Sequence, residues 1–310
     1  MATATTPITP LPSAPTSKLS HLSQDEQDAL KAAVFQRLHP RAYLEKFLAE
    51  GVRPDGRPFD GFRDVSVNVG SISTADGSAL VRMGNTTVVC GVKAEIAEPE
   101  LDKEEEGFLV PNLDLPAMCS PKFKPGPPSE EAQVLSDRLN QALLASNLLP
   151  LKTLCIEKGK AVWVLYVDAT CINYDGNAFD ATLLAMVAAL RNTTLPKATY
   201  NAETGQTLCS RKTLRVPLQL SPSSPISMSF GIFDSKDVLA DPTSFEEPLL
   251  DTTISIILGD FNQIVSVSQF GSATLIAKED GQETRRDTLP KCIEVAKARR
   301  EEVANEIFTQ

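Results

Sequence analysis

Three carboxylates near the middle of the chain, Asp168, Asp175 and Asp180, have residue types and spacing that could do chemistry. They bracket the end of a strand-like run and the turn Tyr174-Asp175-Gly176-Asn177. Acids so placed can converge on Mg²⁺, which takes oxygen ligands and keeps water and phosphate in its shell. The same spacing also serves a plainer purpose. Asp175-Gly176-Asn177 makes a turn and a helix cap, and Asp180 falls in a first helical turn, where the dipole favours an acid. Composition leaves both readings open.

The basic residues divide in the same way. Lys122 and Lys124, in a loop of prolines and a glycine, can touch a phosphate backbone or stay solvated. Arg53, Arg57 and Arg63 can hold phosphate or pair with Asp55, Asp60 and Asp64. Lys158-Gly159-Lys160 suggests a phosphate loop but fails it, because Leu154 and Ala161 stand where that loop needs glycine and a hydroxyl. Trp163 and the four tyrosines show no stacking platform, with aromatics only 6% of the chain.

Composition then excludes whole mechanisms. The 310 residues carry 30 Lys+Arg and 40 Asp+Glu, a formal charge of −10. The pI near 4.9 argues against a broad basic surface that holds nucleic acid unaided. The two histidines, His21 and His39, both precede residue 51. The body after them therefore cannot build a Ser-His-Asp triad, a Cys-His pair or a His-ligated zinc. Six cysteines show no metal-ligand spacing and several sit in apolar runs, which points to free thiols in a reducing compartment. No apolar core of signal-peptide length opens the chain and no stretch is long enough to span a bilayer, so an intracellular protein is expected.

The elements that must position these groups follow from periodicity. Residues 1–20, rich in Pro and Thr with Lys18 the one charge, read as a disordered tail. Ser23-Gln24-Asp25-Glu26 has the form of a capping box, and Pro40 opens a second helix stopped by Gly51, giving a helical arm over 21–52. From Arg53 the period changes to two: Val65, Val67 and Val69, then Ala79, Val81 and Met83, then an apolar run from Thr87 to Val92. Six acids and one lysine crowd Glu98–Glu106. A helix opens at Ser129-Glu130-Glu131 with Ala132, Leu135, Leu139 and Leu143 on its stripe. Ala161–Asn173 reads as a central strand, and Asp180–Arg191 as a helix apolar nearly all round, hence buried. A first lobe over 53–196, a Pro-rich connection over 197–225 and a second lobe over 226–310 result, the last with strands Ile226–Phe233, Thr252–Leu258 and Gln263–Gln269 and a closing helix from about Pro290 carrying Ile293, Ala296, Val303 and Ile307. The class is α+β.

At Arg53-Pro-Asp-Gly-Arg57 the chain meets a family signature. That run, Gly70–Glu95 and Val162–Ala181 resemble the RNase PH family in the family's own order, over about residues 40 to 308. Val110–Pro116 and Lys124–Gln133 resemble the RNase PH-like ring subunits of the eukaryotic RNA exosome. The resemblance implies an RNase PH-like fold of two βαβα-type lobes (ribosomal protein S5 domain 2-like) and a hetero-hexameric ring with five paralogous subunits. It also implies S1/KH cap subunits and hydrolytic exoribonucleases as partners, RNA held by the whole ring, no cofactor, and residence in nucleus, nucleolus and cytoplasm.

Active members of the family shorten RNA from its 3′ end by phosphorolysis, which requires cations around a dianionic nucleophile. Asp168 and Asp175 match family acids. The family's Asp-Gly-Gly-Thr-Arg-type run, however, reads Asp175-Gly176-Asn177-Ala178-Phe179 here, and Ser129-Glu130-Glu131 stands where active subunits carry basic residues. Two glutamates at a helix N-terminus repel phosphate. The expectation is a non-catalytic ring subunit with vestigial Asp168 and Asp175 and RNA contacts at Lys122 and Lys124. The alternative is an active phosphate-dependent exoribonuclease using Asp168 and Asp175 with Mg²⁺.

Overall fold

The computed structural model describes residues 23–210, 215–222, 224–271, 274–279 and 282–308. The tail expected to be disordered lies outside them. The chain divides into two compact units, Met1–Glu50 and Gly51–Gln310.

In the first unit, α1 (Gln24–Leu38) opens on the capping box: the Ser23 hydroxyl accepts the Glu26 amide at 3.3 Å and the Glu26 carboxylate accepts the Ser23 amide at 2.8 Å. Pro40 begins α2 (Pro40–Ala49), a position where no amide hydrogen is needed. Phe35 and Tyr43 join the two helices with ring centroids 6.2 Å apart.

The second unit starts with the antiparallel meander β1 (Val65–Val69), β2 (Gly77–Met83) and β3 (Thr86–Ala97), as the alternation predicts. β4 (Phe108–Asp114) is an element the periodicity did not announce, because Pro111 interrupts it. It runs parallel to β6 at the edge of the sheet, where a missing amide hydrogen is tolerated. Helix α3 (Glu130–Ser146) follows, buried along Ala132, Leu139, Ala142 and Leu143, with Leu135 half-buried. A short β5 (Cys155–Glu157) leads into β6 (Ala161–Asn173), which pairs with β3, β4 and β5 and so is the central strand expected. Helix α4 (Ala178–Asn192) is buried on every side from Ala178 to Leu190.

The stretch read as a plain connection carries structure of its own. β7 (Thr194–Pro196) pairs with β10 (Arg215–Pro217), and β8 (Ala198–Asn201) with β9 (Gln206–Cys209). Then β11 (Ile226–Phe233), β12 (Asp237–Ala240), β13 (Thr252–Leu258) and β14 (Ile264–Phe270) form an antiparallel sheet in the order β12-β11-β13-β14. The ribbon β15 (Thr274–Glu279) and β16 (Gln282–Asp287) precedes α5 (Leu289–Phe308). Among the described residues, the second half thus holds a four-stranded antiparallel sheet and a two-stranded ribbon before α5.

Two apolar cores result. The first lies between the β1–β6 sheet, α3 and α4; the second lies between β11, β13 and α5, where Cys292, Ala296 and Val303 are buried and Ile293 packs at the margin. The Ile307 side chain, expected on the same face, is outside the described residues.

Candidate functional site: a cleft between two cores

Asp168, Asp175 and Asp180 are not brought together. Asp168 sits on β6 opposite Gly91 and Asn112, exposed, with the Asn112 amide 3.5 Å away. It lies five residues before the end of that strand, roughly 17 Å of extended chain. Asp175, half-buried in the turn beyond, accepts the Ser244 hydroxyl at 2.8 Å and the Asn85 amide at 3.2 Å. Asp180 is buried and faces the second sheet, taking the Ser229 amide at 2.7 Å and its hydroxyl at 2.9 Å. Burial raises the Asp180 carboxyl above its usual range, against the pull of the hydrogen bonds it accepts from Asn177 and Ser229. Among the described residues no three His, Cys, Asp or Glu side chains gather in a way that could hold a metal ion.

The turn itself is clamped by structural bonds. The Thr86 hydroxyl accepts the Asp175 amide at 3.1 Å and donates to the Gly176 carbonyl at 2.8 Å. Arg63 donates to the Asp175 carbonyl at 2.7 Å. Gly176 has φ +80°, and a Cβ there would sit 2.5 Å from the Ser244 backbone nitrogen, so only glycine fits. Asn177, also left-handed at φ 52°, spends its side-chain amide on Asp180 at 2.8 Å and Asp241 at 2.7 Å.

The N-terminal arginines resolve as ion pairs, mostly with acids far along the chain. Arg57 pairs with Asp55 at 2.7 Å, one of the partners the sequence offered. Arg53, wholly buried, instead grips Glu246 with Nε at 2.9 Å and Nη2 at 2.5 Å. Arg63 grips Asp241 with Nε and Nη2 both at 2.7 Å. Burial alone raises the Asp241 carboxyl, but the Arg63 guanidinium overcomes it and holds the group below the usual carboxylate range. None of the three is left to clamp a phosphate.

Beside this polar seam opens a cleft of about 720 Å³, lined by α3, the start of α4 and the second sheet. Its most prominent feature is Glu247. One carboxylate oxygen accepts the Asn177 amide at 2.7 Å, at the positive end of α4, and the other accepts the Tyr174 hydroxyl at 2.5 Å. Burial raises the Glu247 carboxyl, the bonds from Tyr174 and Asn177 lower it, and nearby Glu131 adds to the rise; the net direction is up. Lys122 enters the cleft but pairs with Glu131 at 2.8 Å, its ammonium 5.2 Å from the Tyr174 ring. Lys124 is exposed and makes no ion pair among the described residues. Arg138 lies 4.3 Å over the Phe179 ring with one terminal nitrogen buried and unbonded.

Chemically, two cations and two carboxylates line the cleft, and the helix terminus that would draw an anion is filled from within. Models of the RNase PH 3′ exoribonuclease family match residues 61–196 as its first domain and residues 223–299 as its second. The chain belongs to that family. Among its relatives is exosome complex component rrp43 of Schizosaccharomyces pombe, 43% identical over 88% of this chain and 97% of the relative. Exosome complex component Rrp42 of Methanothermobacter thermautotrophicus is 38% identical over 79% of this chain and 85% of the relative. A solved structure described as the Archaeoglobus fulgidus exosome with RNA bound to the active site superposes with a TM-score of 0.71, at 32% identity over 84% of this chain and 96% of that one. The α+β fold is therefore that of the RNase PH family.

The residues missed by sequence reasoning are Glu247, Arg138 and Ser229 in the cleft and Glu246 and Asp241 in the polar seam beside it. The Asp241-Pro-Thr-Ser-Phe-Glu-Glu247 run gave some signal, as paired acids flanked by prolines, but nothing in it names partners at positions 53, 63 and 177.

Proposed function

We propose that this RNase PH family member is a non-catalytic subunit of an RNA exosome core ring. It completes the ring and contributes to the RNA path in 3′-to-5′ processing and decay, including rRNA maturation and turnover of mRNA and non-coding RNA. The curated relatives named as exosome components support the ring, and so does the archaeal exosome fold. The observation that carries the non-catalytic reading is Glu247 at the N-terminus of α4. A carboxylate bonded to that amide, with Glu131 close by, opposes the entry of a phosphate dianion. Asp168 and Asp175, placed apart, are vestiges under this reading.

Other RNase PH-fold subunits are the primary partners. S1/KH cap subunits, hydrolytic exoribonucleases and a nuclear, nucleolar and cytoplasmic distribution belong to the same proposal, as do RNA contacts at Lys122 and Lys124. The test is to incubate the chain, alone and in the assembled ring, with RNA, Mg²⁺ and inorganic phosphate. No nucleoside diphosphate dependent on this chain is expected. Release that disappears on Asp175→Ala would establish the active alternative instead.

A further inference from the structure

β14 ends the second sheet. It pairs with β13 on one side and, among the described residues, with no strand on the other. Such an edge is a row of unmet backbone donors and acceptors, usually blunted by lysine, proline or charge. Ile264–Phe270 reads Ile-Val-Ser-Val-Ser-Gln-Phe and has none of these.

The register leaves apolar side chains exposed on both faces of that edge. Ile264 and Val267 lie opposite Leu258 and Ile256, whose side chains belong to the core under α5, while Phe270 lies opposite Thr253 at the cleft. They are 44%, 38% and 54% exposed. The turn into β14 presents Phe261 fully to solvent at φ 54°, followed by Asn262 at φ 59°. Backbone held there by non-glycine residues is strained, and an aromatic side chain displayed by it suits an interface anchor. Beside Phe270, whose ring is 5.0 Å away, Arg138 keeps its unbonded nitrogen.

We infer that the β14 edge accepts an extended strand of a neighbouring RNase PH-fold subunit, with a carboxylate on that strand reaching Arg138; this rests on the ring-subunit reading. Backbone pairing supplies the affinity and alternate side chains the selectivity. Arg138, beside this edge and without an ion pair among the described residues, specifies an acid. A second copy of the same strand fits less well, because β14 contains no acidic residue. RNA fits less well too, because the edge offers no row of cations.

The test is amide hydrogen exchange of the full chain, alone and in a ring reconstituted with its RNase PH-fold partners. Amides of 264–270 should exchange at least about tenfold more slowly in the ring. Val267→Lys, at a half-exposed edge position, should leave the isolated chain's melting unchanged yet weaken incorporation roughly tenfold, and Arg138→Gln should weaken it in the same direction. Unchanged exchange in an assembled ring, or full incorporation of Val267→Lys, overturns the inference. So does protection of β14 in the isolated chain that vanishes on dilution, which assigns the edge to a second copy. Failure of the wild-type chain to enter any ring instead removes the ring-subunit reading, and the strand partner with it.

Discussion

The Glu247 carboxylate accepts the Asn177 amide at 2.7 Å, so the positive end of α4 is neutralised from within the chain. This bond and the one from Tyr174 give a first expectation. Glu247→Ala strands both donors and should cost about 1–3 kcal/mol in urea denaturation. Glu247→Gln keeps the acceptor for Asn177 and should cost less.

Breaking the buried Arg63–Asp241 pair should cost more. Its two bonds of 2.7 Å hold the turn at Asp175 against the second sheet. Arg63→Met leaves the buried Asp241 carboxylate only the longer pair with Arg57, at 3.3 Å, and a loss of about 3 kcal/mol is expected at neutral pH. A loss under about 1 kcal/mol would show that Arg57 and Asn177 suffice to hold Asp241.

The two buried aspartates should mark stability curves in opposite directions. Asp241 has a folded pKa below 3.8, so its contribution is present above 3.8 and lost as pH falls through the lower folded value. Asp180 has a folded pKa above 3.8, so the folded state holds its proton more tightly and stability declines as pH rises from 3.8 through the raised value. Asp180→Asn can accept from Asn177 and Ser229 and donate to the Ser229 hydroxyl. It should therefore remove that decline, read as denaturation midpoint against pH, while Asp180→Ala destabilises at every pH.

Gly176→Ala tests the clamp on the turn. Its Cβ would meet the Thr243–Ser244 backbone at 2.5 Å in a left-handed conformation, and a loss of about 1–3 kcal/mol is expected in thermal or urea unfolding. Normal stability would show that the turn can relax.

For RNA held by the assembled ring, Lys124→Ala should lower the slope of log affinity against log salt by about one, evenly across sequences. Lys122→Ala should lower it less, because Glu131 already neutralises that ammonium. Equal effects of the two would place Lys122 on RNA in spite of its pair.

Much of the architecture was legible because local signals and fold agree. The Ser23 capping box, the alternation through β1–β3, the nearly all-apolar α4 and the β13–β14 hairpin each follow from their own residues. β4 was hidden by Pro111, since periodicity cannot tell an edge strand from a loop interrupted by proline. The cleft was only half legible. Glu131 at a helix start could be read as hostile to phosphate, whereas Glu247 acts from 70 residues beyond Asn177. Arg53 and Arg63 likewise had acids close in sequence, yet burial favoured Glu246 and Asp241, which lie on the other side of the polar seam.

The central claim, that the chain's own carboxylate keeps phosphate from the start of α4, is tested most directly by titrating inorganic phosphate into the protein while following the Asn177 amide by NMR. The account predicts no saturable shift of that amide. A saturable shift, reporting phosphate bound where Glu247 now sits, would contradict it.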